Sequence, residues 1–273
     1  MASLERIDRR TFLVGLGRRS GAALVLGTGF VACSSTSDGE SASTTTVRST
    51  TTGDATTTTV SESPSDETSS TTGPGEQRRW ERVSFGFVSA YLLMRDGEAV
   101  LVDTGPSGGA DRFDPALSAL GIGWPEVRHV VLTHLHGDHV GGLAPVLDAA
   151  PDAVGYAGEA DLSGIDSPRA LEALVDGDAV AGLQIIHTPG HTPGHVSVFD
   201  PDVGVLVAGD ALTGGDDGET VSGPNPEFTP DMATANTSAA SLAGLDVGTI
   251  LFGHGEPVVG GADALLDQLA PSL

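Results

Sequence analysis

Thr133-His134-Leu135-His136-Gly137-Asp138-His139-Val140-Gly141-Gly142 packs three imidazoles and one carboxylate into six consecutive residues. Just upstream, His129-Val130-Val131-Leu132 has the branched apolar character of a buried strand. Gly137, Gly141 and Gly142 then free the backbone for a tight loop, which leads into a short helical pattern over 143–150. The polar cluster therefore sits on a loop at the end of a strand. In an extended segment alternate residues share a face, so His134 and His136 lie side by side while Asp138 and His139 turn toward a neighbouring point. Imidazole suits zinc and other borderline divalent ions, and a carboxylate suits a harder second site, so one loop can serve two metal ions.

Further polar residues recur at the ends of apolar runs. The run 183–186 precedes Pro189-Gly190-His191-Thr192-Pro193-Gly194-His195, the run 203–207 precedes Asp210 in Ala208-Gly209-Asp210, and 250–252 precedes His254 in Phe252-Gly253-His254-Gly255. Earlier, Ala99-Val100-Leu101-Val102-Asp103-Thr104-Gly105 reads as a strand closed by an Asp-Thr-Gly turn. The motif HxHxDH followed in order by His, Asp and His resembles the metallo-β-lactamase superfamily, and the resemblance extends from about Trp80 onward. It implies an α/β (α+β) fold, a four-layer αββα sandwich with its metal site at one edge. It also implies that His134, His136 and His195 hold one ion, that Asp138, His139 and His254 hold a second, and that Asp210 bridges them. The expected cofactors are two divalent ions, zinc first, with iron or manganese as alternatives. Such a pair lowers the pKa of a shared water from about 15.7 toward ~7, which makes hydroxide the expected nucleophile, with Asp138 helping to pass the proton. Asp103 is expected to orient a ligand or to hold its turn. Of the two histidines in the Pro-Gly repeat, His195 is the expected ligand because it directly precedes the apolar strand 196–199, and His191 the expected donor behind it. His129 and His187, at strand edges, read as structural.

Composition divides the chain. Residues 1–32 carry Arg9-Arg10 followed by Thr11-Phe12-Leu13, then a Gly/Ala/Leu/Val run over 21–32 that ends at Cys33. This resembles a twin-arginine export signal with a lipoprotein cleavage site, although Arg18-Arg19 and Phe30 depart from the usual pattern. Twelve residues are too few to span a hydrocarbon core, which needs about 20. Cys33 is the only cysteine, so no intrachain disulfide forms, and lipidation of Cys33 is the reading that fits its position. Residues 33–77 are mostly Ser, Thr, Gly, Asp and Glu, and have too little apolar surface to offset the entropy of ordering them. The expectation is a Ser/Thr-rich tether between a membrane anchor and a hydrolase domain over 78–273, located outside the cytoplasm.

A formal net charge of -24 argues against nucleic acid as substrate, because a polyanion is repelled. All thirteen basic residues are arginine, and none follows Arg169. A glyoxalase II would call for basic residues in a C-terminal helical region, and the diiron oxygen reductases for Glu where His136 stands. Asp210 in place of Cys argues against the β-lactamases with a cysteine ligand. The expected substrate is a small molecule with an ester, thioester, lactone or amide bond. Two alternatives stand beside it: a mononuclear iron persulfide dioxygenase of the same fold, and a tethered binding protein whose metal supports only the fold.

Strands are expected at 83–88, 90–94 and 99–102, the last two joined through Asp96-Gly97, a hairpin signal. Helices are expected over 111–120, over 229–245 with Thr229 as N-cap and Pro230 at the first position, and over 262–269. The loop 212–228 is expected to cover the site and carry specificity.

Overall fold

The computed structural model describes residues 80–273. The expected signal over 1–32, the lipidation site Cys33 and the tether over 33–77 lie outside these residues. The elements in chain order are β1 (Trp80–Ser84), β2 (Ser89–Arg95), β3 (Glu98–Val102), α1 (Phe113–Ala119), β4 (Val127–Leu132), α2 (Gly137–Val140), α3 (Leu143–Ala149), β5 (Val154–Gly158), β6 (Glu172–Leu174), β7 (Ala179–Val180), β8 (Leu183–His187), β9 (Val196–Asp200), β10 (Val205–Gly209), β11 (Thr213–Gly214), β12 (Val221–Ser222), α4 (Met232–Ser241), β13 (Thr249–Phe252), β14 (Val258–Val259) and α5 (Ala262–Leu269).

Two six-stranded sheets form, ordered β1-β2-β3-β4-β5-β6 and β14-β13-β10-β9-β8-β7. The period of two along each strand makes them faces of one sandwich. Tyr91, Leu93, Val100, Val102 and Val131 of the first sheet pack with Leu183, Ile185, Val196, Val198, Val207 and Leu251 of the second. Their neighbours Leu92, Leu101, Val130 and Leu132 point the other way, onto Phe113 and Leu117 of α1 and Val146 and Leu147 of α3. On the far side Phe199, Leu206, Ile250 and Phe252 meet Ala239 of α4, Leu242 just past it and Leu266 of α5. Three apolar interfaces separate four layers, helix, sheet, sheet, helix, as expected of the αββα sandwich.

Strand direction gathers the loops that matter. Strands β3, β4 and β5 run parallel, as do β10 and β13, while β8 and β9 are antiparallel. The segments after β3, β4, β5, β10 and β13, and the β8–β9 connection, therefore all emerge along one edge. The Val196 N–H donates to the Thr133 carbonyl at 2.8 Å and the Tyr91 hydroxyl to the Phe252 carbonyl at 2.8 Å, tying the two sheets at that edge. At the opposite edge Arg95 bonds both Asp200 at the end of β9 and Asp202 in the turn to β10.

Three expectations about elements need correction. The strand expected at 83–88 breaks at its centre: β1 ends at Ser84, and Gly86 at φ +94° turns the chain into β2, which leaves Phe87 on the turn. The helix expected over 229–245 is shorter and is capped by Asp231, whose carboxylate accepts the Thr234 N–H at 3.1 Å and the Thr234 hydroxyl at 2.7 Å. Thr229 is free of that duty because a carboxylate three residues before Thr234 takes the orphan N–H. The β11–β12 hairpin of the loop 212–228 packs beside the His254 segment, with the Gly214 N–H donating to the His254 carbonyl at 2.9 Å, and Phe228 is the residue of that loop that lines the cleft.

Candidate metal centre

Nine residues expected from the sequence fall at the shared edge, and the structure sorts them by where each imidazole nitrogen points. His134 is fully buried, with Nδ1 3.0 Å from the Thr133 hydroxyl and Nε2 3.1 Å from Nδ1 of His136. His139 lies in the short helix α2; its Nδ1 donates to Oδ2 of Asp103 at 2.7 Å, leaving Nε2 directed inward. His254 donates from Nδ1 to the Phe87 carbonyl at 2.6 Å, and its Nε2 faces Asp138 and Asp210, each at 3.4 Å. An outward bond on one ring nitrogen fixes the tautomer and aims the other lone pair at the centre.

The same test separates the two histidines of the Pro-Gly repeat. His191 has Nδ1 3.1 Å from the Thr229 hydroxyl and Nε2 2.9 Å from Nδ1 of His136 and 3.2 Å from Oδ2 of Asp210. His195 points elsewhere: its Nδ1 bonds Thr188 at 2.8 Å, and its Nε2 accepts the backbone N–H of Asp210 at 3.0 Å. With both nitrogens engaged inside the protein, His195 has no lone pair for an ion, so the expectation that made it a ligand and His191 a donor is reversed. His134, His136 and His191 form one group of convergent donors, His134, His139 and Asp210 a second, and Asp138, His139 and His254 a third. The Asp210 carboxylate reaches across them, with Oδ1 3.3 Å from Nε2 of His139 and Oδ2 3.2 Å from His191.

These donors fit divalent cations. Nε2 of His139 and Oδ1 of Asp210 are buried and have no hydrogen-bond partner, although they face each other. Three imidazole nitrogens converge at 2.9 and 3.1 Å, close to the separation of about 3.3 Å that tetrahedral zinc with Zn–N near 2.05 Å requires. Burial supports the neutral ligand form: it pulls His134 well below the usual imidazole range and His191 down to about 4. His254 moves the other way, raised to about 10 by its bonds to Asp138 and Asp210, so a cation that takes this position displaces a proton. The His254 bond also holds Asp138 below the ordinary carboxylate value.

Behind the donors lies a supporting layer that the sequence reading found only in part. Asp103, expected there, sits at φ +64° just past β3 and accepts from the Thr133 N–H at 2.7 Å, the Thr133 hydroxyl at 2.8 Å and His139. Asp161 was not foreseen. Fully buried after β5, it accepts from the Leu135 N–H at 3.1 Å, the Thr192 hydroxyl at 2.6 Å and the Gly194 N–H at 2.7 Å. One carboxylate thus fastens the His134–His136 loop to the His191–His195 loop. That contact needs Gly158, where a methyl group would overlap the Gly194 carbonyl. Thr188 and Thr229 were also missed; each orients a histidine. His129 and His187 stay outside the cluster, His129 against the Tyr156 hydroxyl at 3.2 Å and His187 on the Pro193 carbonyl at 3.0 Å.

A cleft of about 570 Å³ opens over the centre. Its floor is His136, Asp138, His191, Asp210 and His254, and its walls include Phe87, Gly137 and Phe228.

The sequence pattern described as the metallo-beta-lactamase superfamily matches residues 83–254. Among curated relatives, the probable metallo-hydrolase YflN of Bacillus subtilis is 32% identical over 204 residues, covering 59% of this chain and 76% of that one. A hydroxyacylglutathione hydrolase of Rhodospirillum rubrum is 32% identical over 137 residues, 46% of this chain and 51% of its own length. Among solved structures, TTHA1623 in a di-iron-bound form superposes with a TM-score of 0.53 at 26% identity, over 68% of this chain and 95% of that one.

Proposed function

The chain belongs to the metallo-beta-lactamase superfamily and is a metal-dependent hydrolase, and we propose that it uses two divalent ions to cleave an ester, thioester, lactone or amide bond of a small molecule. The observation that carries the two-ion reading is the Asp210 carboxylate. It is within 3.4 Å of His139, His191 and His254 from opposite sides of the cluster, and its buried Oδ1 is unpaired. The donors divide as His134, His136 and His191 on one side and Asp138, His139 and His254 on the other, with Asp210 shared. The name of the Rhodospirillum rubrum relative supports a thioester among the substrates, and the di-iron form of TTHA1623 supports a pair of ions, with iron as an alternative to zinc.

Ions bound at such a centre supply, at neutral pH, a water with its pKa lowered to ~7 and a Lewis acid for the substrate carbonyl. The protein supplies position and proton handling. Thr133, Asp103, Thr229 and the Phe87 carbonyl each fix one imidazole, so the donors are set before any ligand arrives. Asp138, held ionised by His254 and partly open to the cleft, has in Oδ2 a carboxylate oxygen able to accept a proton from the attacking water and return it to the leaving group. No serine or cysteine nucleophile is required.

Protein purified from its own host is expected to carry two metal ions per chain and to hydrolyse members of an ester, lactone and thioester panel. A chelator should abolish that activity and zinc should restore it. One iron per chain with oxygen consumption would replace this reading by the dioxygenase alternative; metal without turnover of any kind would leave a binding protein.

The domain is further proposed to work outside the cytoplasm, tethered by a lipid on Cys33; the reading is supported by Arg9-Arg10, the apolar run before Cys33 and the polar stretch after it. Cys33→Ser is expected to move the protein from the membrane to the soluble fraction. A variant that stays membrane-bound would remove the anchor.

A further inference from the structure

Six large apolar side chains are exposed among the described residues, and the two aromatic ones are Phe87 at 62% and Phe228 at 60%. Scattered exposed valines need no account, but both phenyl rings line the same cleft as the donors. The Phe87 ring stacks on His254 at a centroid distance of 6.3 Å and 23° between planes, and the same residue's carbonyl accepts from Nδ1 of His254 at 2.6 Å. Phe228 directly precedes Thr229, whose hydroxyl bonds Nδ1 of His191 at 3.1 Å. Each ring is therefore carried by the backbone that also orients a histidine of the floor, which sets the apolar walls in register with the reacting centre.

Charge points the same way. Among the described residues, the ionisable side chains lining the cleft are Asp138, Asp210 and three histidines, with no arginine, and the chain has no lysine. Arg82, bonded to the Gly255 carbonyl beside His254, is engaged with Glu256 and Ser89. A substrate carboxylate would find no guanidinium among the described residues of these walls.

We propose that the cleft selects uncharged esters, thioesters or lactones with an apolar acyl or aryl group, held between Phe87 and Phe228 while the scissile carbonyl faces Asp138 and Asp210. This rests on the hydrolase reading above. The reaction adds one water across the acyl carbon–oxygen or carbon–sulfur bond, giving a carboxylic acid and an alcohol or thiol, or from a lactone a single hydroxy acid, and needs no further reactant.

The test uses the full metal-loaded chain and 4-nitrophenyl esters from acetate to octanoate, with the anionic 4-nitrophenyl hemisuccinate for comparison. kcat/KM is expected to rise about fourfold per added methylene until the chain passes the rings, with the hemisuccinate at least tenfold below the butanoate. Phe87→Ala and Phe228→Ala should each cut the octanoate-to-acetate ratio about tenfold at unchanged metal content, and Phe228→Leu should restore most of it. A flat series, a preference for the hemisuccinate, or alanine variants with the parent ratio would overturn the apolar clamp and leave the hydrolase standing. Failure to hydrolyse any member of the ester, lactone and thioester panel with two ions bound would defeat the hydrolase reading, and the clamp with it.

Discussion

The His191→Ala variant should lose metal without losing its fold, and His195→Ala should do the reverse. Both residues sit in the same Thr-Pro-Gly-His repeat, and an argument from spacing alone treats them alike. Their surroundings differ. Nε2 of His191 faces His136 and Asp210 at the cleft, so removing it deletes one of the convergent donors. With structural zinc sites worth about 10–16 kcal/mol over four ligands, one donor is worth about 3 kcal/mol, or roughly a hundredfold in affinity. The metal-free protein should lose less than with His195→Ala, because His191 lines the cleft and its deletion strands only the Thr229 hydroxyl while it relieves a crowd of facing nitrogens. His195 is a core residue with no exposure, bonded to the Thr188 hydroxyl and to the Asp210 N–H. Its removal strands two buried partners, each costing about 1–3 kcal/mol, and opens a cavity. A total near 3 kcal/mol lowers the melting temperature of a domain this size by about 10 °C. Metal affinity should fall only about tenfold, through the loosened Asp210 backbone. Metal content and metal-free melting curves of the two variants decide the matter; a metal-free His195→Ala protein with the parent melting temperature would reinstate His195 as a ligand.

That reversal shows where sequence reading stops. The loop 133–142 was legible because its donors are close neighbours after a strand, so local geometry alone brings them together. The sheets were legible for the same reason: their strands are short, branched and bounded by turn residues such as Asp96-Gly97, both at positive φ. The choice between His191 and His195 depends on partners from other elements, Thr229 and the Asp210 N–H, which no local pattern reveals. Thr229 followed by Pro230 fits a helix start, yet Asp231 takes the cap and Thr229 serves His191. Asp161 is one acid among 37 and carries no motif; only the parallel pairing of β4 and β5 brings it against both histidine loops. Phe87 was hidden inside an expected strand that Gly86 breaks.

On the proposed two-ion reading, Asp103→Asn is expected to produce a folded protein that holds one ion fewer than the parent and that loses about 10²–10⁴-fold in turnover. Asparagine tolerates the left-handed backbone at φ +64°, so the turn after β3 survives. Its amide oxygen still accepts the Thr133 N–H, but the amide nitrogen then meets Nδ1 of His139, which now donates to a carboxylate oxygen at 2.7 Å. Two donors cannot face each other. His139 must shift its proton to Nε2, the atom that points unpaired at Asp210, and a protonated nitrogen cannot ligate a cation. Burial disfavours a charged His139, but Asp103, Asp210 and Asp138 together outweigh it and raise its pKa, so losing one carboxylate removes part of what holds this ring in place. Asp103→Ala goes further, because it orphans the buried Thr133 N–H and leaves His139 without its partner; a loss of about 3–5 kcal/mol follows, read as a lower melting temperature of the metal-free protein. Separating the two variants matters. If Asp103 merely holds its turn, asparagine should be silent, metal content should stay at two per chain, and only alanine should cost stability. If it sets the tautomer of His139, asparagine should empty the site formed by Asp138, His139 and His254 while the melting temperature of the metal-free protein stays near the parent value.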